Sequence, residues 1–385
     1  MNLKKLLYTF LFTNAFISGI FGLFLPIYLY KMGATFSNIT LFIAINAFFY
    51  VITLRVIEYI IPKINLKHLT QITFLTYGIF ITSIFFTHDI NFKNLLILGF
   101  FNGIYLSLFW TIQRLTFLTT INEKNLGKQI SNIQLFIMFI SKIGILIGGF
   151  ILENLGFKYV FLITIILLSL STLYTIFHKT QSQNYTFTHY KPHTLKEILT
   201  FKDNHNSKLI FIFDGLFLYI ESYIWLLVIF LYVGSFFELG ILIILFSVIF
   251  ITIYSFIRKI IDKTPEKKLI KYKTIIYGFG WFLAGIFVFI ENTKLQSVLI
   301  LFIAFFNILF RLTFNKIFFK ISKNTLKERY IFLKSYYSQF VIFLGFLTFS
   351  GIFYYFENNY KIFGIIFFIA FLLSPIYLKL KPFEA

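Results

Sequence analysis

Residues 157–177 read FKYVFLITIILLSLSTLYTIF, and residues 208–232 read KLIFIFDGLFLYIESYIWLLVIFLY. Each run is long enough to cross the roughly 30 Å hydrocarbon core of a bilayer, which takes about 20 mostly apolar residues in a helix. Between them lies the one long polar stretch of the chain, residues 178–207. The pattern predicts two membrane-spanning helices joined by a polar linker in the middle of the chain.

The composition extends this interpretation to the whole chain. Of its 385 residues, 58% are hydrophobic and 13% are charged, whereas soluble domains carry about 25% charged residues. Scanning for apolar runs gives twelve spans, at residues 6–30, 38–61, 69–87, 94–113, 130–152, 157–177, 208–232, 237–257, 272–290, 295–315, 333–355 and 361–379. We therefore predict an all-α integral membrane protein with twelve transmembrane helices.

The basic residues predict the orientation of these helices. Lysine and arginine are in excess in loops on the cytoplasmic side of a membrane. With the N-terminus inside, the inner segments and their flanks hold 28 basic residues and the outer loops hold five. This bias predicts that both termini and the central linker are cytoplasmic. The chain length and the short loops favour a multi-pass protein of a bacterial inner membrane. It also explains the net charge of +20 without nucleic acid as a partner.

The spans fall into two sets of six around the linker. We predict an N-terminal six-helix bundle over residues 1–177, a cytoplasmic central linker over 178–207 and a C-terminal six-helix bundle over 208–385. Paired halves with a binding site between them at the bilayer midplane are the usual architecture of secondary transporters.

The fifth span and its outer exit resemble a known motif. Residues 144–149 read GILIGG, and residues 153–161 read ENLGFKYVF. They are similar to the fifth-helix signature Gly-Pro-x-x-Gly-Gly of the major facilitator superfamily, with glycines at Gly144, Gly148 and Gly149 and with Ile145 in place of the proline. Small residues four apart let two membrane helices approach closely. The resemblance implies that this contact lies at the interface between the halves.

Two loops resemble a second motif of that family, Asp-(Arg/Lys)-x-Gly-(Arg/Lys)-(Arg/Lys). The loop after span two keeps basic residues at Lys63 and Lys67, and Asn65 replaces the turn glycine. Asparagine is the next residue most tolerant of the left-handed conformation. The loop between spans eight and nine keeps the acid as Asp262, followed by Lys263. The resemblance implies that these five residues belong to the gating interface.

Three further positions carry smaller expectations. Glu58, one turn before the first loop, takes the place of the acid that the loop lacks. Ser37 is placed as the N-cap of the second span. His189 and His193 are four apart in the linker without a third ligand, so we predict no metal site. We also predict no cofactor and no enzymatic activity, because the chain has no cysteine, phosphate loop, HExxH motif or serine-nucleophile motif.

Charged residues within the spans are the strongest candidates for a site, because a charge at the centre of a membrane helix costs about 2.5–3.5 kcal/mol on insertion scales. At 1.5 Å per residue, Lys142 and Glu221 both lie roughly 18–20 Å from the inner ends of their spans, near the midplane. We predict that they face each other across the two halves. Burial favours the protonated form of Glu221, which would carry the coupling proton. A fixed structural ion pair is the alternative.

Asp214 lies seven residues before Glu221 and so on the same helix face. It is shallower, and we predict that it is either wetted or paired with Arg114 or Arg311. Asn307 in span ten is a candidate for solute binding. Three other polar residues are more typical of hydrogen bonds between helices: Asn14, Asn102 and Gln113.

Together these features predict a secondary active transporter that moves a small solute by alternating access, coupled to protons, as a monomer in contact with membrane lipids. The buried carboxylates, with no matching pair of cavity arginines, favour neutral or cationic solutes. Import and efflux both stay open. The alternatives are a lipid scramblase or flippase on the same scaffold and a membrane-embedded lipid-modifying enzyme.

Overall fold

The computed structural model describes residues 3–120, 126–177, 187, 189–245 and 265–382. Within these ranges the chain is helical and forms no strand. The helices are α1 Leu3–Ile20, α2 Leu25–Lys31, α3 Phe36–Ile60, α4 Leu66–Phe85, α5 Phe92–Thr120, α6 Leu126–Asn154, α7 Phe157–Phe177, α8 Leu195–Thr200, α9 Ser207–Tyr219, α10 Trp225–Val233, α11 Phe236–Leu245, α12 Glu266–Phe287, α13 Thr293–Asn324, α14 Glu328–Tyr355 and α15 Ile362–Leu373.

Ten of the helical segments in the described ranges are long and apolar enough to cross a membrane. They correspond to all the predicted spans except the eighth and the ninth. The predicted ninth span falls in α12, whose first turns carry several lysines. The predicted eighth span begins with α11, a short apolar helix. Its remainder lies outside the described residues, as do Asp262 and Lys263 in the loop that follows it. A total of twelve spans stays a prediction.

Several helices extend beyond the predicted apolar runs. Helix α5 continues to Thr120 instead of ending at 113, and α13 continues to Asn324 instead of 315. Helix α14 begins at Glu328, five residues before the predicted start. The polar ends of membrane helices reach past the hydrocarbon core, so an apolar scan shortens them. As a result Arg114, Arg311 and Lys334, which the scan placed at span ends, all lie inside helices.

The seventh predicted span is interrupted near its middle. Residues Ile220–Ile224 form a π-helical turn between α9 and α10. Such turns inside α-helices occur mostly as single bulges and frequently at functional sites. The turn contains Glu221 and shifts the register of α10 relative to α9.

The local signals at two helix starts differ from the prediction. Helix α3 is capped by Thr35, whose side chain accepts from the Asn38 amide, so Ser37 lies in the first turn and is not the cap. Asn65 caps α4 by accepting from the His68 amide, with an extended backbone (φ −78°). The expected left-handed turn at Asn65 is therefore wrong, because the side chain caps the helix instead.

We call the helices before the linker the first half and the helices after it the second half. In the first half, α1 packs on α6, and α3 and α4 pack on α5. In the second half, α9 packs on α14, and α12 packs on α13 and α15. The principal contact between the halves is α3 against α14. We call the end of the molecule that carries the described linker residues and Lys379–Lys381 the inner end, and the opposite end the outer end.

Candidate functional site

A cluster of four charged side chains lies inside the second half. Arg311 on α13 is at its centre and bonds both carboxylates of the seventh predicted span. Its Nε lies 2.8 Å from Glu221 Oε2, and its Nη1 contacts Asp214 Oδ1. Its Nη2 donates to the Tyr277 hydroxyl at 3.1 Å. Arg311 thus ties α13 to α9, to the π-helical turn and to α12.

Asp214 is the most buried member of this cluster, with 1% of its side chain exposed. Lys334 Nζ on α14 lies 2.8 Å from its Oδ2, and the Tyr377 hydroxyl donates to its Oδ1 at 2.9 Å. Of the two predicted partners, Arg311 pairs with Asp214. Asp214 is not wetted, because three donors surround its carboxylate.

Glu221 has one carboxylate oxygen that is not hydrogen-bonded. Oε2 accepts from Arg311, whereas Oε1 is buried and has no partner among the described residues. Its side chain is 12% exposed and lines the cavity between the two halves. An unpaired buried acceptor of this kind is costly unless a proton or another donor reaches it.

The expected pair between Lys142 and Glu221 is not formed in this structure. Glu221 pairs with Arg311, and Lys142 on α6 is half-buried with no hydrogen bond or ion pair to any described residue. Both residues were predicted to lie near the midplane and to face each other, but their partners depend on how the helices pack. Helix α6 packs on α1 and α7, and the closer cation for Glu221 comes from its own half.

A cavity of about 380 Å³ lies between the halves and borders the charged cluster. This volume is at the small end of the range of about 300–1,000 Å³ for ligand pockets. Aromatic residues from both halves form much of its wall: Tyr50, Tyr77, Tyr105, Phe109, Trp110, Tyr219, Tyr223 and Trp225. A second cavity of about 160 Å³ shares Trp110, Arg114, Asp214, Leu218 and Lys334 with it. The charged cluster therefore lies at the boundary of the two cavities.

Arg114 is the charged residue that the first half contributes to this cavity. Its Nη1 donates to the Ser335 hydroxyl at 2.9 Å, and its guanidinium lies 5.2 Å from the centre of the Trp110 ring. The predicted pair of Arg114 with Asp214 is absent, because Arg311 and Lys334 occupy that carboxylate.

The polar residues of the spans divide between helix contacts and the cavities. Asn14 bonds the Phe10 carbonyl and accepts from the Tyr105 hydroxyl at 3.1 Å, which joins α1 to α5 as predicted. Asn102 lines the central cavity and Gln113 lines the smaller one. Asn307 lies against Gly280 on α12 with an unpaired Oδ1 and is not among the residues lining either cavity.

The glycines of α6 serve two different contacts. A Cβ on Gly144 would lie 2.4 Å from the Phe16 carbonyl oxygen, and one on Gly148 would lie 2.4 Å from that of Ile20. These two glycines pack on α1, inside the first half, so the expected interface between halves is wrong for them. Gly149 does face the second half, where a Cβ would lie 2.8 Å from the Phe236 carbonyl oxygen of α11.

The halves are hydrogen-bonded to each other at the outer end. The Ser37 hydroxyl of α3 donates to the Ser350 carbonyl of α14 at 2.9 Å, and the Ser37 amide donates to Asn358 Oδ1. A further contact joins α6 to α11, where Glu153 accepts from the Phe236 amide at 3.1 Å. These contacts hold the two halves together at the outer end.

The halves also meet at the inner end, around the fully buried carboxylate of Glu58. The Tyr336 hydroxyl of α14 donates to Oε2 at 2.6 Å. From the linker, His193 Nδ1 lies 2.6 Å from Oε1 and the Tyr190 hydroxyl bonds the same oxygen. Arg55 Nη1 completes the group at 3.0 Å. Glu58 thus joins the first half, the linker and the second half.

The loop between α3 and α4 contributes less to this contact than the resemblance implied. Asn65 caps α4, and Lys67 is mostly buried within the first half, with Nζ 3.4 Å from the Ile176 carbonyl. Lys63 bonds Ile60 through its backbone amide. Asp262 and Lys263 lie outside the described residues. Near this loop, Glu58 reaches the second half through the Tyr336 hydroxyl.

Sequence reasoning missed Lys334, Tyr277 and Tyr377 as members of the charged cluster. Lys334 was counted among the basic residues that flank the eleventh span, because the apolar run begins only at 333. The two tyrosines carried no signal, since the chain has 24 of them. No sequence signal marks Lys334, because the first turns of α14 lie in polar sequence before residue 333.

Three solved structures with the same fold are named as transporters or as a symporter. A nucleoside transporter, NupG, superposes with a TM-score of 0.67 at 16% identity over 99% of this chain and 100% of that one. A D-xylose–proton symporter gives 0.65 at 16% identity over 96% and 95%. A POT family transporter in complex with a thioalcohol-conjugated peptide gives 0.66 at 13% identity over 96% and 94%. At these identities the likeness concerns the fold alone.

No curated protein sequence matches the chain. The family model described as Major Facilitator Superfamily matches residues 7–346, which is most of the sequence. The halves meeting along α3 and α14 and the cavity between them agree with that match. The chain therefore belongs to the major facilitator superfamily.

Proposed function

We propose that this protein is a secondary active transporter that moves one small solute through the central cavity by alternating access. The cavity between the halves, with hydrogen bonds from one half to the other at both its ends, is the observation that carries the proposal. Three relatives of the same fold are transporters or symporters by name, which supports the same class of activity.

Opening toward either side would break one set of contacts and keep the other. Outer opening would separate Ser37 from Ser350 and Glu153 from Phe236. Inner opening would separate Tyr336 from Glu58. Each hydrogen bond contributes about 0.5–1.5 kcal/mol, or about 1.5–3 kcal/mol when one partner is charged. Costs of this size keep the alternative conformations within reach at ordinary temperature.

Glu221 is the residue that we propose for proton coupling. It faces the cavity, and its Oε1 has no described partner to compete with a proton. Protonation would weaken its ion pair with Arg311, which keeps a second partner in Asp214. Neutralising Glu221 therefore leaves Arg311 with a carboxylate partner. The free-energy cost is lower than it would be if Glu221 were the only carboxylate bound to Arg311.

The wider context of the proposal follows from the sequence. The excess of basic residues in alternate loops supports cytoplasmic termini and a cytoplasmic linker. We place the protein in a bacterial inner membrane as a monomer. One bundle covers residues 1–177, the linker covers 178–207 and the second bundle covers 208–385. Its partners would be a solute, protons and lipids.

Proton flux in reconstituted liposomes tests the mechanism. Wild type, Glu221→Gln and Glu291→Gln are reconstituted with an internal pH-sensitive dye and exposed to a panel of solutes. Glu291 is an exposed carboxylate between α12 and α13, so its substitution serves as the matched control. We expect a solute-dependent proton flux in wild type and in the control, and none in Glu221→Gln.

Solute exchange without a proton gradient separates the two parts of the proposal. A transporter whose coupling residue is neutralised should still exchange labelled solute across the membrane. Proton flux that persists in Glu221→Gln would exclude Glu221 as the coupling residue. A wild-type protein that moves no solute of the panel in either assay would count against the transporter itself.

A further inference from the structure

The charges around the central cavity do not balance. Arg311 and Lys334 together neutralise Asp214 and Glu221, two cations against two carboxylates within the second half. Arg114 is a fifth charge that faces the same cavity from the first half. Arginine stays protonated at physiological pH, so the five side chains carry one net positive charge while Glu221 is ionised.

Arg114 has no carboxylate partner among the described residues. Its contacts are one hydrogen bond to the Ser335 hydroxyl and the face of the Trp110 ring. A guanidinium has five N–H donors, so most of them are free to bond a ligand. Of the fifteen acidic residues of the chain, only Glu123, Asp262 and Glu384 lie outside the described ranges, and all three are in predicted loops or the terminus.

A second cation lies beside Arg114 in the cavity wall. Lys334 precedes Ser335, the residue that Arg114 bonds, and lines the same two cavities. Its partner Asp214 is shared with Arg311. Positive charge is thus concentrated at one point, where α5 of the first half meets α14 of the second. An uncompensated charge in a low-dielectric site is unfavourable until an opposite charge reaches it.

We propose that the transported solute carries a single anionic group, bound by Arg114 beside Lys334, and an aromatic or other planar body that stacks in the tyrosine-rich wall of the cavity. The inference rests on the proposed transport function and names its substrate class. One anion makes the six charges neutral, whereas a cation or a dianion leaves the site charged. The sequence-based preference was for neutral or cationic solutes. We now favour an anionic one, because Arg311 and Lys334 balance the two carboxylates and leave Arg114 in excess.

The polar groups that remain unpaired fit such a body. Asn102 Nδ2 is a buried donor in the cavity wall without a partner, and Gln339 Oε1 is a buried acceptor without one. A solute with a hydroxyl or amide on its ring could satisfy both. The anionic group would then touch α5 and α14 together, which gives the bound solute contacts to both halves.

The test is equilibrium binding of three nearly isosteric phenols to purified protein, followed by calorimetry and by tryptophan fluorescence. They are 4-hydroxyphenylacetate, its neutral amide and the cationic amine tyramine. A hydrogen bond to a charged group contributes about 1.5–3 kcal/mol, which is a factor of about 10 to 100 in affinity. We expect the acid to bind at least tenfold more tightly than the amide and the amine.

Variants then assign that preference to Arg114. Arg114→Gln should lower the affinity for the acid to that for the amide, and Arg114→Lys should retain part of the preference because it keeps the charge. Lys294→Gln, which removes an exposed cation at the start of α13, should leave all three affinities unchanged. Retention of the full preference in folded Arg114→Gln would overturn the proposal.

The remaining outcomes are also decisive. Equal or tighter binding of the amide or the amine to wild type would overturn the anionic class, and so would the absence of binding by the acid. Binding does not depend on transport, so a preference for the acid without any uptake in liposomes would refute the transport function and leave the site. Uptake of the acid at an unchanged rate in Arg114→Gln would refute the anion site and leave the transport function.

Discussion

Removing the negative charge of Asp214 should destabilise the protein strongly. The carboxylate is 1% exposed and bonds Arg311, Lys334 and Tyr377. In Asp214→Asn, Arg311 keeps Glu221, but Lys334 loses its only described carboxylate. Breaking a buried ion pair from one side costs about 3–5 kcal/mol, because the other charge is left uncompensated. We expect the free energy of unfolding to fall by that amount.

A double-mutant cycle with Lys334→Met isolates the cause. Methionine is of similar length and uncharged, so the single variant loses the pair but leaves Asp214 with Arg311 and Tyr377. In the double variant, Arg311 and Glu221 still balance each other, and both charges of the Asp214–Lys334 pair are gone. The loss in the double variant should therefore be smaller than the sum of the single losses by about 1–3 kcal/mol, the usual range for residues in contact.

Unfolding of the purified protein in detergent, followed by tryptophan fluorescence, measures these differences. Asp89→Asn is the matched control, because Asp89 is exposed between α4 and α5 and should change stability by no more than about 0.5 kcal/mol. A stability of Asp214→Asn equal to that of the control would refute the reasoning. Strict additivity in the double variant would show that Lys334 and Asp214 do not form a pair.

Tyr336→Phe removes the bond from α14 to Glu58. The chain has no cysteine, so a single cysteine can be introduced into the cavity wall as a probe. Its labelling by a reagent added from the inner end should be about tenfold or more faster in Tyr336→Phe. An unchanged labelling rate would contradict a role of this bond in inner closure. Gly144→Ala should destabilise by about 1–3 kcal/mol through its clash with α1, whereas Gly78→Ala, which meets nothing within 4 Å, should not. A backbone hydrogen bond lowers the pKa of Glu197 from 4.5 to about 2. Its contribution is therefore present above its ordinary pKa and lost as pH falls toward 2, so the stability difference between wild type and Glu197→Gln should shrink over that interval.

The order of the helices could be predicted from the sequence because each apolar run is long and bounded by polar loops. The same scan could not set the helix ends. The end of α13 and the start of α14 lie in polar sequence. Arg311 and Lys334 were therefore assigned to span ends, although both lie inside helices. The length of an apolar run reflects the thickness of the hydrocarbon core and not the full length of the helix.

The sequence predicted the carboxylates of the candidate site but not the residues that pair with them. Asp214 and Glu221 stand out because charges in membrane spans are costly, and the structure places both beside the cavity. Their partners depend on how the helices pack against each other. The depth of each residue in its own helix carries no information on that packing. Lys142 and Glu221 have matching depths but do not pair. Glu58, in contrast, was recognised as a substitute acid, and its contact with α14 came only from the structure.

The distribution of these interactions suggests how the halves can move at low cost. The ion pairs of Arg311 and Lys334 all lie within the second half, so a rocking motion would leave them intact. On inner opening Glu58 would lose the Tyr336 hydroxyl and keep Arg55, which lies on the same helix. No described carboxylate of the spans would be stripped of all its donors by separating α3 from α14. Expensive charge pairs would travel inside each moving body, and single hydrogen bonds would form and break between them.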